Sequence, residues 1–136
     1  MRRALLVLAI TLGVASFATP SYAGLSGAHF NNVTITISGN TITAEGREAG
    51  LGNVDQTHIV LNATALCING GGKHPRAVNK TGVAAGGDFP VQNGHADFFL
   101  SGTAVFEPSC SPPMTVQFTD ITVTDTTTGL TYTYRG

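Results

Sequence analysis

The chain has 136 residues, of which 42% are hydrophobic and 11% charged, with 17 Gly, two Cys, no Trp and a formal net charge of −1. Apolar residues are too frequent for a disordered chain, and a balance this close to neutral argues against nucleic acid or an anionic membrane as the partner. Glycine and threonine in place of charged helix formers favour strands and turns.

The N-terminus reads as a secretory signal peptide. Met1-Arg2-Arg3 is a short basic start, Ala4 to Ala18 is an apolar run, and Pro20-Ser21-Tyr22-Ala23 supplies a helix break and a small-residue cleavage site. The apolar run falls short of the roughly 20 residues that a membrane-spanning helix needs, and no later segment approaches that length. The expected layout is a signal peptide over 1–23, cleaved after Ala23, and one secreted, extracellular β-domain over 24–136. Removal of the signal takes Arg2 and Arg3 with it and leaves five basic against eight acidic side chains, a net charge of −3. No cysteine lies at the end of the signal, so a lipid anchor is not expected.

Val33–Ser38 and Thr41–Glu45 alternate apolar and polar residues around Gly39-Asn40. This predicts a hairpin with Ile37 opposite Ile42 and Ile35 opposite Ala44 on the core side, and with Thr34, Thr36, Thr43 and Glu45 towards water. After a glycine-rich break over 46–55, Ile59, Leu61, Ala63, Ala65 and Cys67 form the inward row of a long strand. Residues 68–88 lose periodicity and carry Gly70-Gly71-Gly72, Pro75 and Gly86-Gly87, which predicts a long loop with at most a short strand near Ala77. Asn93-Gly94 predicts a second hairpin with Val91 opposite Ala96 and Phe89 opposite Phe98, and Thr103–Phe106 extends it. Pro108, Pro112 and Pro113 flank Cys110 in a rigid crossing. Val116 and Phe118 lie on one phase and Ile121 and Val123 on the other, which requires a β-bulge near Thr119. A turn over Asp125–Gly129 leads to a last strand with Leu130, Tyr132 and Tyr134. Seven or eight short strands without a helical period indicate an all-β, Ig-like antiparallel β-sandwich, with a small β-barrel as the alternative.

Cys67 and Cys110 are the only cysteines, and in an exported chain they are expected to pair. In the chain-entropy picture, closing a loop of that length removes unfolded-state freedom worth about 4 kcal/mol.

Gly50-Leu51-Gly52-Asn53 with Asp55, then Ala63-Thr64-Ala65, Cys67, Asn69, Gly71-Gly72, Pro75 and Asn79, the Asn93-Gly94 turn and Cys110-x-Pro form a pattern over most of residues 24–136. It resembles that of functionally uncharacterised small secreted β-rich proteins of actinomycetes and related bacteria. The resemblance implies an exported bacterial β-protein and carries over no active site. Lys73, His74 and Arg76 stand where that pattern has neutral, Asn- or Gln-rich residues.

Lys73, His74, Arg76 and Lys80 gather basic charge in one Gly-rich segment of an otherwise acidic chain. Such a segment can bind a carboxylate, sulfate, phosphate or acidic glycan through side chains and backbone N–H groups, or simply keep a loop solvated. His29, His58, His74 and His95 show no close metal-ligand spacing, and neither a metal nor a cofactor is expected. The eight carboxylates Glu45, Glu48, Asp55, Asp88, Asp97, Glu107, Asp120 and Asp125 offer no pair that spacing forces together, and no G-x-S-x-G or H-E-x-x-H motif occurs. The Thr-x-Thr pairs recur at no constant period and fit the solvent faces of amphipathic strands. The sequence therefore points to a non-enzymatic exported domain that binds an extracellular glycan, anionic group or protein through the segment 69–88, with no catalytic residue assigned. A small secreted hydrolase using loop carboxylates and a purely structural envelope or matrix component are the alternatives.

Overall fold

The structure, a computed structural model, describes residues 27–69 and 76–136. The expected signal peptide over 1–23, and Lys73 and His74, lie outside the described residues. Seven strands appear in chain order among those described: β1 (His29–Ser38), β2 (Thr41–Ala49), β3 (Gln56–Asn69), β4 (Arg76–Pro90), β5 (Ala96–Thr103), β6 (Thr115–Asp125) and β7 (Thr131–Thr133). They build two antiparallel sheets, β1-β2-β5 and β4-β3-β6-β7, which face each other as a β-sandwich and do not close into a barrel.

Alternation decides what fills the space between the sheets. The inward row of β3, Ile59 through Cys67, is buried throughout, and Ile42, Ala44, Phe98, Leu100, Phe118, Ile121 and Val123 complete the core from the other strands. The first hairpin has the expected register, with Ile37 opposite Ile42 and Ile35 opposite Ala44. Gly39, at φ 59°, supplies the left-handed backbone that the first position of this turn requires.

Bulges let strands change phase and still bury their apolar residues. In β6, Thr119 and Thr122 pair with Thr64 and Asn62, so Asp120 and Ile121 share the space opposite Ala63. Asp120 takes φ 52°, and Phe118 and Ile121 both turn inward, as the phase change in the sequence requires. A second bulge, in β1, does the same for Phe30 and Val33: Asn32, at φ 56°, is the extra residue. Gly46 lies beneath it, where a Cβ would stand 3.0 Å from the Val33 Cα and 3.2 Å from the Phe98 ring.

Two expectations need correction. Residues 76–90 are not a loop: they form a strand paired with β3 along its whole length, with a bulge at Val78 between the Cys67–Asn79 and Ile68–Ala77 pairs. The inward positions of this edge strand, Val83, Ala85, Gly87 and Phe89, lie opposite Ala63, Leu61, Ile59 and Thr57 of β3. Val83 packs over Gly102 of β5, where an added Cβ would come within 2.6 Å of the valine Cγ1. The second correction concerns the Asn93-Gly94 turn, which has the expected left-handed residues, at φ 55° and 80°, and pairs Gln92 with His95. Beyond that pair the strands separate. Phe89 pairs with Thr57 in one sheet and Phe98 with Gly46 in the other, so the turn carries the chain between sheets. The two rings still meet across the core, with centroids 6.3 Å apart.

Candidate functional site

Each expected site residue has a definite place where it is described. Cys67 and Cys110 are joined, as expected, and link β3 to the segment before β6, with the Met114 sulfur 3.6 Å from that of Cys67. Arg76 and Lys80 sit on β4 at register positions opposite Asn69 and Leu66. Their partners are three residues apart on β3, because the bulge takes up one residue, so the two positions lie about 10 Å apart along the strand. Lys80 is on the outer side of its sheet. The inner side of the same strand, at Asn79, borders a groove of about 410 Å³ with Cys67, Val78, Glu107, Pro108, Ser109 and Met114.

The histidines are used locally. His29 Nδ1 donates to the Gly27 carbonyl at 2.6 Å, and His58 Nδ1 pairs with Asp88 at 2.8 Å on the exposed side of β3 and β4. Among the described residues no three His, Cys, Asp or Glu side chains gather as a metal-ion site would require.

Two carboxyl groups that the sequence spacing leaves apart are brought together. Glu48, Thr57 and Asp125, each fully buried, close one end of the core from β2, β3 and β6. Asp125 opens the turn before β7. Its Oδ1 accepts from the Thr127 and Thr128 backbone N–H groups at 2.7 and 3.3 Å, and its Oδ2 accepts from the Thr57 hydroxyl. The Thr128 hydroxyl donates to Glu48 Oε2 at 3.2 Å, while Oε1 is buried without a hydrogen-bond partner. Thr126 N–H donates to the His58 carbonyl at 2.9 Å and His58 N–H to the Thr127 hydroxyl at 3.1 Å, tying the turn to β3.

The electrostatics divide the two acids. Burial, and then the neighbouring Asp125 carboxylate, push the Glu48 carboxyl up to about 8, against a smaller opposing effect of the Thr128 hydroxyl. Burial also acts to raise Asp125, but the adjacent Glu48 carboxyl, the Thr57 hydroxyl and the Thr127 and Thr128 backbone N–H groups outweigh it, and the net direction is down. The proton belongs on Glu48 and the charge on Asp125. Two acids of opposed protonation are the usual ingredients of acid–base catalysis. Here neither reaches solvent, so the arrangement fastens one sheet to the other.

The outer face of β1-β2-β5 is the opposite case. Ser38, Thr41 and Thr103 form one cross-strand row, and Thr36, Thr43 and Ser101 the next, with hydroxyl contacts of 3.1 Å (Thr41–Thr103) and 3.3 Å (Thr43–Ser101). Thr34, Glu45 and Phe99 follow, then Arg47 against Asp97 with Nε 2.8 Å from Oδ1. Phe99 is 61% exposed. Around it lies a shallow concavity of about 450 Å³ bordered by Asn32, Thr34, Glu45 and Asp97. Alternation places Phe99 outward between the buried Phe98 and Leu100, so its outward position was readable from the sequence; its polar surroundings depend on the pairing of β2 with β5. No family model, curated protein or solved structure matches this chain.

Proposed function

We propose that the chain is an exported, non-enzymatic binding domain that meets its partner outside the cell through the outer face of β1-β2-β5. The observation that carries this reading is the exposed Phe99 ring at the border of a hydroxyl-lined sheet face. An aromatic side chain left in water on a regular strand offers a large flat surface for contact. A hydrolase would need accessible acids in complementary protonation states. Glu48 and Asp125 meet the second condition and not the first, and of the exposed acids Asp97 and Asp88 are each engaged by a basic partner. Export draws support from the basic and apolar N-terminal sequence and from the Cys67–Cys110 bond. No helix among the described residues is long and apolar enough to cross a membrane.

A second reading keeps the contact on β4, with Arg76 and Lys80 and the bulged Val78, 52% exposed beside the disulfide groove. The two are separated by presenting immobilised wild type, Phe99→Ser and the Arg76→Ala/Lys80→Ala double variant with secreted proteins and polysaccharides from the producing culture. Retention is expected to be lost in Phe99→Ser and kept in the double variant. The reverse order moves the contact to β4, and equal retention by all three removes both surfaces.

A further inference from the structure

We propose that the Phe99 face takes a neutral carbohydrate, with a sugar ring stacked on Phe99 and its hydroxyls donating to Glu45 and Asp97; this rests on the reading of that face as the contact surface. The geometry suits such a ligand in three ways. Glu45 is directly opposite Phe99 on the adjacent strand, which puts their Cβ atoms about 5 Å apart on one face. Asp97 is two residues along β5 from Phe99, on the same side. Asn32 and Thr34 close the far side from β1. A flat apolar platform edged by acceptors and an amide matches a pyranose, which presents C–H groups from its face and hydroxyls from its rim.

Charge and composition select against the other occupants. An anion would meet two carboxylates, of which only Asp97 is balanced, by Arg47. Nucleic acid is disfavoured for the same reason. A protein partner would need a broad apolar centre, whereas the cross-strand rows around Phe99 are hydroxyls and charged groups. Polyhydroxylated and uncharged is the chemistry left. The opening is wide and shallow, so binding is expected to be weak for a single ring and to strengthen with chain length.

The test uses the full chain, expressed with its own N-terminal segment and purified after export. Cellopentaose, maltopentaose and chitopentaose are titrated by calorimetry and NMR, with polygalacturonate and dextran sulfate as anionic arms. Saturable binding of at least one neutral oligosaccharide is expected. Phe99→Ala should weaken it about tenfold and Glu45→Gln by a smaller factor. Both side chains are exposed, and an unchanged melting temperature shows that each variant is folded. Affinity unaffected by Phe99→Ala, or binding of the anionic polymers alone, overturns the proposal. If no neutral oligosaccharide binds while Phe99→Ser still loses retention of secreted material, the carbohydrate assignment falls and the contact face stands.

Discussion

Asp125→Ala is expected to cost about 3–5 kcal/mol of folding free energy, a large part of the stability of a domain this size. The carboxylate serves three donors at once: the Thr57 hydroxyl and the Thr127 and Thr128 backbone N–H groups. Truncation strands the buried Thr57 hydroxyl at the desolvation cost of an unpaired group and takes the acceptor from two half-buried backbone N–H groups. The backbone bonds of the turn, Asp125 N–H to the Leu130 carbonyl and Gly129 N–H to the Asp125 carbonyl, remain available to alanine, so the loss is that of the side-chain contacts. Asp125→Asn retains an oxygen for the two backbone donors and should recover most of the loss. Denaturant unfolding of the three proteins, with the disulfide intact, checks the order wild type, Asn, Ala. A loss below about 1 kcal/mol for the alanine variant would mean that water replaces the carboxylate and that the cluster does not fasten the sheets.

Most of this architecture follows from period-two alternation. The core row of β3, the first hairpin register and the bulge near Thr119 are legible because apolar residues alternating with polar ones mark their phase. β4 is hidden for a physical reason. Gly82, Ala84, Ala85, Gly86 and Gly87 carry too little side chain to show a phase: Gly82 faces open space, Gly86 lies against His58 and Val60 of β3, and Gly87 against the Phe89 ring, contacts that a linear reading does not see. The Asn93-Gly94 turn shows the limit of local chemistry in another way: it dictates the reversal of the chain and the Gln92–His95 pair, but not which sheet each strand joins.

The buried acids were partly legible. Ile42, Ala44 and Gly46 set the inward phase of β2, and Glu48 continues it; Ile121 and Val123 do the same for Asp125, and Ile59 and Leu61 for Thr57. Extending each phase by one step places three polar side chains inside. Their meeting at one end of the sandwich depends on how the sheets face each other, which spacing along the chain does not contain. The basic segment is the converse case. Proximity in sequence suggests one anion site at Lys73, His74, Arg76 and Lys80; of these, Arg76 and Lys80 lie on a strand and not in a loop, and the other two lie outside the described residues.

Glu48 gives the protein a stability that falls as the solution becomes alkaline. In the unfolded chain its carboxyl ionises near the ordinary value of 4.5, whereas the folded protein holds the proton to about 8. The stabilising contribution is therefore complete below the lower value and declines through the interval, by at most about 1.4 kcal/mol per pH unit, until it is lost above the upper one. Asp125 acts on the other limb: its folded value is depressed, so its contribution is present above the ordinary carboxylate range and is lost as pH falls through the folded value. Glu48→Gln replaces the protonated acid by a neutral group of the same shape, which can accept from Thr128 and donate towards Asp125. It should unfold close to wild type at about pH 5 and exceed it by about 3–4 kcal/mol at pH 9, with the acid limb unchanged. Urea unfolding across that range decides the matter. Parallel profiles for the two proteins would mean that ionised Glu48 is accommodated, by water entering beside Oε1 or by the turn swinging open, and the end of the sandwich would then be a gap and not a seal.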